Sequence, residues 1–146
     1  MSKTFRTGER GSTLVEFSIA AMVFLTALFG VIEFGRALWV HNALTDAARR
    51  GARYAVTHSS GDAAQVKNVV VYGNPAGGTK PLVPNLSTTN VTVNYSSFAL
   101  NKGTATVGIT NYQFKFVIPI VGTTITMPKY STTLTGESVG WIPKDM

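Results

Sequence analysis

GSTLVEFSIAAMVFLTALFGVIEFGRALWVHNALTDAARRGARYAV, residues 11–56, holds the densest apolar sequence of the chain and keeps helical character to its end. Its first part, Leu14 to Ile32, carries Glu16 as its only charge. A helix needs about 20 such residues to cross a hydrocarbon core of about 30 Å, so this run is long enough to span a bilayer. A secretory signal has a shorter apolar region, about 7 to 15 residues, closed by small residues at a cut site. Here the run passes instead into FGRALWVHNALTDAARRGARYAV, dominated by Ala, Leu and Arg and free of Pro. The reading is one helix from Ser12 to near Val56, roughly 65–70 Å long at about 1.5 Å per residue. The part at 14–34 is read as transmembrane and the rest as lying outside the bilayer. Glu33, Arg36 and Trp39 follow the run, where a charged and aromatic interface belt belongs. Basic residues stand on both sides, Lys3, Arg6 and Arg10 before it and Arg36, Arg49, Arg50 and Arg53 after it. Charge alone therefore does not set the orientation.

Composition agrees with one concentrated apolar segment. The 146 residues are 45% hydrophobic and 14% charged, with a mean hydropathy of +0.16. Soluble domains carry roughly 25% charge. The absence of cysteine excludes a disulfide scaffold, a Cys-ligated zinc site and thiol catalysis. Two histidines, His41 and His58, and seven acidic residues leave little material for a catalytic centre. The histidines have no neighbouring acid in a triad arrangement. The expectation is a protein that is not an enzyme and that holds no cofactor or metal. A net charge of +6 is compatible with nucleic acid or anionic lipid, and composition does not choose between them.

The outer half of the helix carries a second pattern. Ala43, Ala47, Gly51 and Ala55 recur every fourth residue and share a face, flanked by Leu44, Ala48 and Ala52. Small residues let another backbone approach closely. Such a stripe packs either on the chain's own C-terminal domain or on another subunit. Arg49, Arg50 and Arg53 read as a solvated face, with acidic partners or lipid headgroups as the alternative. Glu33 and Arg36, at i and i+3, read as an ion pair.

Beyond His58 the pattern changes. AAQVKNVVVYG offers Val66, Val69 and Val70 at helical spacing, with Asp62 as a cap and Gly73 as a stop, while Val69 to Tyr72 also suits a strand. NPAGGTKPLVPNLSTTN reads as an irregular loop. From Val91 onward three runs alternate as strands. Val91, Val93 and Tyr95 share one face. Val107 and Ile109 give way to Tyr112, Phe114 and Phe116 with a parity change near Asn111, which a β-bulge would repair. Ile125 and Met127 give way to Tyr130, Thr132 and Leu134, with Pro128 at the switch. PIVG, 119–122, is read as the hairpin turn between the last two runs. Three strands need a cover for their apolar face, and the outer half of the long helix supplies it. The fold class expected is α+β: a long N-terminal helix packed on a small antiparallel sheet of about three strands.

The remaining anomaly is Glu16. A carboxylate inside an apolar run costs up to about 2.5–3.5 kcal/mol at a helix centre and less near an end. A cut between Gly11 and Ser12 would give Ser12 a charged α-amine, one helical turn from Glu16 on the same face. The helix dipole also favours an acid there. The pair can form within one chain or between neighbouring subunits.

Gly11 with Glu16-Phe17 resembles the processing site of type IV prepilins and pseudopilins. The wider stretch resembles the TadE-like family of minor pseudopilins of the tight-adherence (Tad) pilus. The shared pieces are Val15-Glu16-Phe17, Phe29-Gly30 to Ile32-Glu33-Phe34-Gly35-Arg36, and Ala47-Ala48-Arg49-Arg50-Gly51-Ala52-Arg53-Tyr54-Ala55. The stretch from Tyr112-Gln113-Phe114 through PIVG to Glu137 is similar to the family's final hairpin. The resemblance implies a cytoplasmic leader, 1–11, removed by a prepilin peptidase, a helix at 12–58, and an extracytoplasmic domain at 59–146. It implies a single-pass protein of the bacterial inner membrane, passing into the extracellular pilus on assembly. Its partners would be other pilins and pseudopilins, the peptidase, the inner-membrane assembly platform and the lipid bilayer, with no nucleic acid. Its work would be pilus assembly for surface adhesion and biofilm formation. The alternative is a membrane-anchored extracytoplasmic module that recognises a surface sugar or protein. The leader holds Lys3, Arg6 and Arg10 against Glu9, so its removal takes two positive charges from the formal +6.

Overall fold

A long helix with no proline to break it dominates the first third of the chain. The computed structural model describes residues 9–99, 102–117 and 124–136, with side chains for all of these but 9, 10, 97–99 and 102. The first eight residues of the expected leader, the PIVG turn and Glu137 lie outside the described residues. Helix α1 spans Glu9–Thr57. Two compact units divide the chain, the boundary falling within α1 between Arg36 and Ala37.

In the first unit the helix is bare. From Gly11 to Ala20 every side chain is exposed, as are Met22 through Ile32. Two of its hydroxyl side chains, Ser18 and Thr26, turn back on the helix. Ser18 Oγ donates to the Leu14 carbonyl and Thr26 Oγ1 to that of Met22, each at 2.8 Å. Each bond gives the hydroxyl an acceptor on its own helix.

The second unit is built on the helix's outer turns. Val40, Leu44, Ala47, Ala48, Ala52 and Ala55 are buried, an i, i+3, i+4 spacing that makes one continuous stripe. Thr57 ends the helix with its hydroxyl on the carbonyls of Arg53 and Tyr54. Ser59 then caps a 3-10 turn, Ser60–Asp62.

Helix α2, Ala63–Tyr72, follows. The valine run that suited either a helix or a strand is therefore helical. Val66, Val69, Val70 and Val71 are all buried, and packing of this kind overrides the strand preference of branched side chains. Each fully buried valine contributes roughly 1.5–3 kcal/mol relative to exposure. Gly73 stops the helix at φ 74°, its N–H bonding the Val69 carbonyl at 3.0 Å. Asp62 stands at the N-cap without a side-chain capping bond.

The following loop is tied down at two points. Val83 and Leu86 are buried, and the Tyr112 hydroxyl donates to the Pro84 carbonyl at 2.6 Å. A capped 3-10 turn, Thr88–Asn90, leads into the sheet.

The strands are β1 (Val91–Ala99), β2 (Lys102–Ile109), β3 (Gln113–Lys115), β4 (Thr124–Thr126) and β5 (Tyr130–Thr135). They form an antiparallel sheet in the order β1-β2-β5 and a separate β3-β4 pair. The fold is α+β, with a three-stranded antiparallel sheet as expected and a second small sheet beside it. The parity changes are not bulges within continuous strands. At Asn111, φ 56°, the chain leaves the first sheet and β3 begins a new ladder. Around Pro128 the return strand makes the same break, between β4 and β5. Asn90 Nδ2 holds the first break by donating to the carbonyls of Thr110 and Asn111, each at 3.2 Å.

Inward positions Val91, Ala105, Val107, Ile109 and Tyr130 join the buried stripe of α1 and the α2 valines in one core. The opposite face carries Thr92, Asn94 and Ser96 on β1, Thr104 and Thr106 on β2, and Ser131, Thr133 and Thr135 on β5. The described side chains of these strands give it hydroxyls and one amide, and the Lys129 side chain reaches it at Gly108.

Candidate functional site

The residues that stood out in the sequence fall on two stretches of α1. At the start, Gly11, Ser12, Glu16 and Phe17 are helical and exposed, Phe17 to 71%. Ser12 and Glu16, at i and i+4, lie on one side of the helix. No ion pair is formed by Glu16 among the described residues. A carboxyl group thus sits on an apolar cylinder with Leu14, Val15, Phe17 and Ile19 beside it, all more than half exposed. An isolated acid in such a place needs a counter-charge once water is excluded.

At the end of the bare stretch, Glu33 is 5% exposed and paired with Arg36. Here the acid has its cation on the same helix, which is the compensation a buried charge requires. The contrast between the two acids is the main electrostatic feature of the first unit.

These observations frame the comparison with known proteins. The family model described as TadE-like protein matches residues 11–53. Comparison with curated proteins and with solved structures gives no match. The TadE-like segment starts at Gly11, takes in Glu16, Glu33 and the bare helix, and ends at Arg53, two residues past Gly51. The single apolar helix is compatible with a single-pass membrane anchor.

In the outer part of the TadE-like segment, Ala47 and Gly51 are buried, as is Ala55 just beyond it, while Ala43 is half-buried against the core. Gly51 is the tightest point. A Cβ there would overlap the Val70 Cγ2 methyl and lie 3.2 Å from Val107 Cγ1. The four-residue stripe therefore has α2 and β2 against it at that level. Arg49 and Arg53 are exposed, Arg49 sharing a loose 3.8 Å pair with Asp46, and Arg50 is half-buried. An exposed pair of this kind contributes little, about 0–1 kcal/mol.

The two histidines make unrelated contacts. His41 Nδ1 lies 2.9 Å from the Tyr130 hydroxyl, with the rings edge to face at 5.2 Å. Burial pushes the Tyr130 hydroxyl above its ordinary pKa. This contact joins α1 to the first residue of β5 across 89 positions, and no local pattern announces it. His58 stacks on Tyr54 at 3.7 Å. Among the described residues no three His, Asp or Glu side chains gather as a metal site would require.

Proposed function

We propose that this chain is a minor pseudopilin of a Tad-type pilus. In this reading prepilin peptidase cuts between Gly11 and Ser12, and the chain then takes part in pilus assembly for surface adhesion. The bare apolar helix is held in the bacterial inner membrane before assembly, with its N-terminus cytoplasmic and the sheet domain extracytoplasmic. It is packed among other pilins and pseudopilins afterwards. The inner-membrane assembly platform receives the cleaved subunit.

The observation that carries this reading is Glu16. It lies within the family match, exposed on an apolar helix and with no ion-pair partner among the described residues. Cleavage after Gly11 supplies the missing cation as the Ser12 α-amine, from the same chain or from a neighbour. Glu33 needs no such help, because Arg36 is already there. The function is structural, not catalytic.

A second reading, a membrane-anchored module that binds a surface sugar or protein, draws on the hydroxyl-rich face of the main sheet. One experiment separates the two. Intact mass and N-terminal sequencing of the chain from cells with and without prepilin peptidase should give Ser12 as the first residue only where the peptidase is present. A chain that still begins at Met1 beside active peptidase would overturn the pseudopilin reading and leave the anchored module.

A further inference from the structure

Helix α1 contains four glycines, Gly11, Gly30, Gly35 and Gly51. Gly51 is required by the Val70 and Val107 methyls against it, and Gly11 stands at the proposed cut. Gly30 and Gly35 have neither reason. Both are helical and exposed, and a Cβ at either meets nothing within 4 Å. An unsupported glycine weakens a helix, because it has the most backbone freedom to lose. The residues around the two add to this weakness. Phe29 to Arg36 is the longest stretch of α1 with neither alanine nor leucine, and Val31 and Ile32 are branched at Cβ. Packing gives little in return. Val31, Ile32 and Phe34 are all more than half exposed, and Glu33, paired with Arg36, is the one buried side chain between the glycines. The buried hydrophobic stripe of α1 starts only at Val40. The division of the chain into compact units falls directly after this stretch, between Arg36 and Ala37.

We propose that Gly30–Gly35 is a hinge in α1, a segment where the helix opens and bends while the turns on both sides stay regular. Helices bend sharply where the i→i−4 ladder is readily interrupted, and glycine is one of the residues that allow it. Opening here disturbs no contact of the hydrophobic core, so this stretch belongs to the low-stability end of the chain. A neighbouring helix seated on the glycines is the poorer fit. Five positions apart, they lie about 140° from one another around the axis, so one helix cannot use both. Gly35 also has Val31, Ile32, Leu38 and Trp39 one turn to either side, bulky where a close approach favours small residues. The inference concerns the helix itself and holds whether lipid or other subunits surround its bare part.

Backbone amide exchange tests this, read residue by residue by NMR on the full-length chain in detergent micelles. Val31 to Phe34 should be protected on the order of tenfold less than Ala20 to Val23 before them and Leu44 to Ala48 after them. The double variant Gly30→Ala/Gly35→Ala should raise protection at 31–34 on the order of tenfold and leave both flanks unchanged. Both added methyls meet open space, so the fold survives them. Equal protection along 20–48 in the wild type would overturn the hinge. So would weak protection that persists in the double variant, because water reaching the segment, and not the glycines, would then set the exchange. Loss of self-association in the double variant by analytical ultracentrifugation, with exchange unchanged, would give the glycines to a neighbouring copy and also overturn the proposal.

Discussion

Gly51 shows how one side chain's absence sets the position of three elements. In an open helix a glycine costs about 0.8–1.0 kcal/mol relative to alanine, so replacing it normally stabilises. Here the added methyl would overlap Val70 Cγ2 and press on Val107, both in the fully buried core. Overpacking of that kind costs about 1–3 kcal/mol, enough to reverse the sign. Gly51→Ala should therefore lower stability by about 1 kcal/mol and Gly51→Leu by several times that. Gly35 provides the control, since a Cβ there meets nothing within 4 Å. Thermal unfolding of the detergent-solubilised chain, followed by circular dichroism, should show Gly35→Ala shifted slightly up and the Gly51 variants shifted down. An unshifted Gly51→Leu would mean that α1 does not seat on α2 and β2 as described.

At the scale of elements, the two breaks in the strands decide the architecture. Asn111 takes φ 56°, a left-handed conformation that asparagine tolerates and branched residues do not. Asn111→Gly should be neutral within about 0.5 kcal/mol. Asn111→Val should cost about 1–2 kcal/mol at this strained position, read as a lower denaturant midpoint with unchanged slope. Equal midpoints for the two variants would show that the turn is not held in that conformation. The sequence-level signal at this point was the parity change from Ile109 to Tyr112. Parity records only which face a side chain takes, and a bulge and a change of sheet shift it alike. What separates them is the partner of each strand, which is a non-local fact: β2 pairs with β1 and β5, β3 with β4. The long helix was legible because its composition and lack of proline are local. The valines of α2 were ambiguous because branched residues favour strands, and the core decided for the helix. Of the candidate site, Gly11, Ser12, Glu16 and Phe17 were legible as a pattern of spacing and resemblance. The contact of His41 with Tyr130 was not, because nothing local to either residue encodes it.

For the whole molecule, the two units place different demands on the same helix. The outer turns bury their small face within the chain, whereas the apolar window before them buries nothing there. A surface of that kind has two lasting environments, lipid or the helices of other subunits. Glu16 discriminates between them. Near the end of a helix in a bilayer the carboxylate remains close to headgroups and water, and its charge is tolerated at low cost. Among packed helices it is tolerated only when paired, and so would be the amine that the proposed cleavage creates. Glu16→Ala should therefore leave insertion and processing nearly unchanged while stranding the Ser12 amine in the assembled state. Removing one partner of a buried pair costs about 3–5 kcal/mol. Incorporation should then fall on the order of a hundredfold or more, measured as the ratio of subunit in sheared pili to subunit in membranes. Intact mass on the same samples separates the stages. A Glu16→Ala chain that is cleaved but stays in the membrane locates the carboxylate's work in packing. A chain that still begins at Met1 would move that work to recognition by the peptidase. A cleaved variant found in pili at the wild-type ratio would mean that the amine finds its counter-charge elsewhere, and Glu16 would lose its assigned role.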